Sequence, residues 1–112
     1  MIREEIIKEL VLEGLDDWVP VDRVLDLVRE TLPASNDAFK KEVGAVIEEL
    51  LSQEIMTVGD IGETGFEPWA TTGADRTTEV LRKLEAAQWL PQGGACWLAN
   101  TPEGDRLATA SS

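Results

Sequence analysis

The chain has 112 residues, with 10 Lys and Arg against 22 Asp and Glu, a formal net charge of −12, one Cys and no His. No imidazole is present to serve as a base or metal ligand near neutral pH, and one thiol forms neither an internal disulfide nor a thiolate zinc cluster. The charge repels phosphate backbones and anionic membranes at long range and attracts a cationic partner. At 43% hydrophobic residues the sequence can fill one core unaided, so a single domain over residues 1–110 is expected, with a frayed tail at 111–112. Met1-Ile2-Arg3-Glu4-Glu5 lacks the apolar stretch of a signal peptide, and no apolar run reaches the length of a membrane span. A cytoplasmic location without membrane contact is the corresponding expectation.

In chain order, Ile2, Ile6, Ile7, Leu10 and Val11 recur at helical spacing, and Gly14 stands where a C′ residue would end that helix. Asp17-Trp18-Val19-Pro20-Val21 reads as a short extended piece, because Pro20 drives Val19 out of helical geometry. A second helix starts near Asp22, turns Val24, Leu25, Val28 and Leu32 inward, and is stopped by Pro33. Ser35, Asn36 and Asp37 offer caps for a third helix ending near Gln53, with Phe39, Val43, Val46, Ile47, Leu50 and Leu51 inward. Ile55-Met56-Thr57-Val58 predicts a strand, Gly59 to Gly65 a loose acidic turn, and Phe66-Glu67-Pro68-Trp69 a second extended segment. Pro68 cannot donate to a ladder, so its nitrogen should face away from the partner strand.

Thr72 and Asp75 have capping-box spacing ahead of a fourth helix that carries Val80, Leu81, Leu84 and Ala87 and breaks at Pro91 and Gly93-Gly94. Ala95-Cys96-Trp97-Leu98-Ala99 predicts a third strand. Asn100 or Thr101 then caps a last helix with Pro102 at its first position. The fold class expected is α+β, with about five helices and a short antiparallel sheet of two to three strands.

This order of elements resembles the winged helix-turn-helix arrangement. Asp17 to Asp22 would lead into its second helix, Ser35 to Gln53 would stand for the recognition helix, and Ile55 to Trp69 for the wing. Leu98 to Ala108 also looks like the strand-to-helix segment after the wing in MarR-like regulators, where a Thr-x-x-Gly step follows the last strand, here Thr101 to Gly104. The resemblance implies a winged-helix-like fold and, as one functional alternative, a dimeric transcriptional regulator with Lys40 and Lys41 near DNA phosphates. The chain departs from those regulators in its acidic wing and in the extra helix between Trp69 and Cys96.

A DNA reader draws much of its affinity from phosphate neutralisation. Here Lys40 and Lys41 are flanked by Asp37 and Glu42, and the turn offers Asp60 and Glu63 with no cation, so nucleic acid is the less favoured partner. Asp60, Glu63, Phe66, Glu67 and Trp69 combine an anionic rim with aromatic area, a composition suited to anchoring a basic protein such as a nuclease toxin. The competing reading is a solvated turn above two core aromatics. Trp18, Trp69, Trp89 and Trp97 are expected around the sheet and the helix joins.

Glu48 and Glu49 point roughly 100° apart on a helix and make a poor acid–base dyad. Cys96 reads as a buried inert thiol, and the glycines form no phosphate-binding motif. No catalytic residue, metal or cofactor is assigned. The expected function is a non-enzymatic acidic protein-interaction module, in its concrete form an immunity- or antitoxin-like inhibitor of a basic partner, with a homodimer left open.

Overall fold

Ile6, Ile7, Leu10 and Val11 stand one helical turn apart and all are buried. The helix they define, α1, spans Arg3–Gly14 in the computed structural model, which describes residues 2–33 and 36–110. Ile2 begins the same stripe yet remains 61% exposed. Helix α2 covers Asp22–Arg29 and α3 covers Asp37–Ser52. Asn36 caps α3 from an extended conformation, its side chain accepting the Ala38 N–H at 2.8 Å. Ser35 lies outside the described residues, as do 111–112. Helix α2 is shorter than the Pro33 stop implies: it ends at Arg29, and Leu32 packs against the core from the following turn.

Four strands form one antiparallel sheet, β1 (Val19–Pro20), β2 (Met56–Gly62), β3 (Gly65–Pro68) and β4 (Trp97–Asn100), in the order β1-β4-β2-β3. The α+β class is as expected, with one strand more than the sequence pattern gave. The additional strand is the Val19–Pro20 piece, too short to show alternation but paired with β4 through Val19↔Leu98 and Pro20↔Trp97. Helix α4 (Ala74–Ala86) comes between β3 and β4 in sequence, and α5 (Pro102–Ala110) follows β4. The predicted loose turn is tight: β2 runs on to Gly62, which pairs with Gly65, leaving only Glu63-Thr64 between the strands. The Trp69 N–H donates to the Val58 carbonyl at 3.0 Å, so the neighbouring Gly59↔Pro68 pair is the non-hydrogen-bonded one. The Pro68 nitrogen therefore faces outward, as its missing N–H requires.

Two local expectations are corrected. Gly14 is the last residue of α1 and Leu15 continues in right-handed geometry, so Gly14 is no left-handed C′ residue. Its bareness serves the Asn100 side chain, which occupies the space a Cβ would fill. Helix α4 has Gly73 at its N-cap, with φ +62° and no side-chain cap bond, so the Thr72–Asp75 capping box does not form. The Thr101–Gly104 step has a clear physical basis. The Thr101 hydroxyl accepts the Gly104 N–H at 3.1 Å and bonds to the Glu54 and Ile55 carbonyls, while a Cβ on Gly104 would overlap the Ile55 oxygen. One contact between α5 and the turn after α3 thus sets both residues. The Cα radius of gyration, 13.0 Å, is that of a folded chain of this length.

Candidate interaction surface

Side chains alternate across a strand, and here the alternation divides a filled face from an open one. Val19, Met56, Val58 and Leu98 are buried against the helices. Their strand neighbours Pro20, Thr57, Ile61, Phe66, Trp97 and Ala99 project to the opposite side. None of those six belongs to the hydrophobic core or packs against it. Ile61 is 42% exposed, as is Trp18, which precedes β1 on the same outer side.

The outer rings lie on glycine. Trp18 and Phe66 stack with centroids 6.3 Å apart and planes tilted by 30°. A Cβ on Gly65, whose φ is +111°, would stand 3.0 Å from Trp18 Cη2, and one on Gly59 would overlap the Glu67 backbone carbonyl and stand 2.9 Å from Phe66 Cζ. A side chain at Gly65 would displace the Trp18 ring, and one at Gly59 would press on the β3 backbone as well as the Phe66 ring. Asp17 Oδ1 accepts the Trp18 backbone N–H at 2.7 Å.

The five residues singled out by the sequence are brought together only in part: Asp60, Glu67 and Trp69 share one face, and Glu63 and Phe66 lie elsewhere. Asp60 and Glu67 are register partners on the helix side. Two like charges directly opposite are unfavourable, and the Trp69 Nε1–H offsets this by donating to Asp60 Oδ2 at 2.9 Å. Lys83 of α4 sits 5.6 Å above the Trp69 ring. Glu67 folds its carboxylate over Gly62. Glu63 is exposed in the hairpin turn, and Phe66 lies on the outer face with Trp18. Trp18, Ile61 and Trp97, which join Phe66 there, were missed as site residues. The signal that finds them is strand parity, legible only once β2 is known to run through Gly62.

Lys40 and Lys41 stand on α3, but Lys40 is engaged within the protein. Its Nζ is 3.9 Å from Glu85 and 5.3 Å from the Trp89 ring centroid. Lys41 is exposed and has no ion pair among the described residues. Helix α4 lies along α3: Thr77 donates to Glu48 at 3.0 Å, Arg76 to the Leu51 carbonyl at 2.9 Å, and Leu81 faces Gly44. The helix that the resemblance would seat in a DNA groove has a neighbour of its own along one side.

Most cations are used internally. Arg3 binds Glu42 at 2.9 Å, Arg23 binds Glu13 at 2.7 Å, Arg29 binds Asp26 at 2.9 Å, and Arg82 and Arg106 pair with Glu79 and Glu103. No Lys or Arg stands on any strand or in the β2–β3 turn. Cys96 is buried, and burial, aided by the Asp60 charge, pushes its thiol up to about 12, so it is a neutral thiol at physiological pH. Among the described residues no cluster of Cys, Asp and Glu is placed to hold a metal, and no helix is long and apolar enough to cross a membrane. Comparison with protein-family models, with curated proteins and with solved structures found no match.

Proposed function

We propose that the chain is a non-enzymatic protein-interaction module that docks a basic protein partner in the cytoplasm, in its concrete form an inhibitor of the immunity or antitoxin kind. The observation that carries this reading is the outer face of the sheet, where Trp18 and Ile61 are exposed, Phe66 and Trp97 are partly exposed, and none of the four belongs to the core. Contiguous apolar area of this kind on a domain with a filled core marks an interaction site. The net charge of −12 selects the partner's sign and speeds its approach, while the aromatics supply the desolvated contact that holds it. Pairing two copies through this face would bring two strongly anionic bodies together, which disfavours self-association there. Inhibition would follow from occlusion of the partner's cationic site. The DNA-binding alternative has less support, since Lys40 is occupied and the sheet carries no cation.

The test is affinity capture from host lysate at about 20 mM salt, repeated at about 0.5 M, where screening collapses to a few ångströms. The native chain is expected to retain a basic protein at low salt and release it at high salt, and the Trp18→Ala/Ile61→Ser double variant to lose it. Capture of no basic protein, or equal retention by the double variant, overturns the proposal.

A further inference from the structure

Six aromatic rings divide evenly between the two sides of the molecule, and their surroundings differ in one respect. On the helix side each ring has a cation of its own chain: Arg29 lies 5.8 Å from Phe39, Lys40 5.3 Å from Trp89 and Lys83 5.6 Å from Trp69. On the outer side, Trp18, Phe66 and Trp97 have none among the described residues. The indoles differ in the same way. Trp69 and Trp89 donate their ring N–H to Asp60 and Glu85, whereas those of Trp18 and Trp97 have no acceptor among the described residues. Resting on the docking reading above, we infer that the outer face takes arginine side chains of the partner, stacked over Trp18, Phe66 and Trp97.

The chemistry favours guanidinium over the other candidates. It is planar, more weakly hydrated than ammonium, and able to stack on a ring while its edge N–H groups reach a carboxylate. Asp17 adjoins Trp18, Asp16 precedes it, and Glu63 lies two residues from Gly65; all three are exposed, and none has a cation bound among the described residues. Trp18 is exposed, and Phe66 and Trp97 are partly exposed. Nucleic-acid bases would also stack there. Their phosphates, however, would meet the same carboxylates.

The four indole N–H groups provide separate NMR signals, two on each side of the molecule. The native chain is titrated at low salt with a synthetic peptide of alternating Arg and Gly, and with its Lys and citrulline counterparts. The Arg peptide is expected to move the Trp18 and Trp97 signals and leave those of Trp69 and Trp89 in place. The Lys peptide should bind severalfold more weakly and the neutral citrulline peptide not at all. Trp18→Ala and Phe66→Ala should each weaken Arg-peptide binding about threefold, with the other signals confirming that the fold is kept. Equal binding of Arg and Lys peptides, movement confined to Trp69 and Trp89, or a response of Trp18 and Trp97 to an oligonucleotide as strong as to the Arg peptide overturns the inference. The first outcome leaves the outer-face docking reading standing; the second removes the outer face from it. No response to any peptide, alongside successful lysate capture, defeats only the arginine assignment; without capture, both fall.

Discussion

On the helix side of the sheet, every aromatic ring has a cation and every indole N–H an acceptor; on the outer side, among the described residues, neither holds. The strands supplying the two sides are the same, so the contrast comes from what lies over each. Helices α1, α3 and α5 cover one face and turn its apolar area into folding energy through burial. The opposite face keeps Trp18 and Ile61 substantially exposed and so contributes less to folding per residue. Apolar side chains that the fold does not need at full burial are free to serve a contact made later.

The strongest way to break this comparison is to truncate one phenylalanine from each side. Phe39 is fully buried, with Trp89 edge-on at 6.4 Å. Phe39→Ala should cost about 3–5 kcal/mol of unfolding free energy. Phe66→Ala removes a partly buried ring stacked on Trp18 and should cost about 1–2 kcal/mol. Denaturant midpoints at matched slopes give both values. Equal losses would mean that the outer face is as structural as the inner one.

A smaller effect is expected at Gly104, where α5 meets the turn after α3. Gly104→Ala forces a methyl group onto the Ile55 carbonyl oxygen, and backbone there cannot yield as a side-chain tip would. A loss of about 1–3 kcal/mol follows from overpacking. The outer-face indole signals of Trp18 and Trp97 should remain where they are, since α5 packs from the other side of the sheet. Movement of those signals would show that the two faces are mechanically coupled.

The helices were legible in the sequence because their apolar residues recur at a local spacing that needs no knowledge of partners. The Phe39 to Leu51 stripe is the clearest case, and all six of its predicted inward residues are buried. Gly104 was legible as part of a pattern but not as a contact, since Ile55 lies far from it along the chain. The same distance in sequence hid the role of Gly14, whose space is taken by Asn100. The site was half legible. Reading Gly59 to Gly65 as a loop removed the parity that places Asp60 and Glu67 on one face and Ile61 and Phe66 on the other. Strand β4 sits between β1 and β2, so it is the non-local pairing that brings Trp97 and the Trp18 segment to one surface. No local pattern encodes that a face will lack a covering helix.

Acid should also separate the two sides, with the smallest effect. Hydrogen bonds from Arg23 hold the Glu13 carboxyl below the usual glutamate range, and those from Arg3 do the same for Glu42. A carboxyl whose pKa is lower in the folded chain adds stability that is complete above its unfolded value of about 4.3 and is lost as pH falls through the folded value. Both pairs tie α1 to its neighbouring helices, α2 and α3. Because Arg3 is 44% and Arg23 33% exposed, solvent screening limits each pair to no more than about 1 kcal/mol. Acidification from pH 7 to about 5 leaves these pairs intact and begins to relieve the self-repulsion of a chain at −12, so the denaturation midpoint should hold or rise there. Below about 4.3 it should fall. In Glu13→Gln/Glu42→Gln that acid loss should be shallower and the neutral-pH stability lower, while Trp18→Ala should reproduce the native pH profile. If the double variant keeps the full acid loss, the ion pairs add nothing and the helix side is held by its apolar core alone.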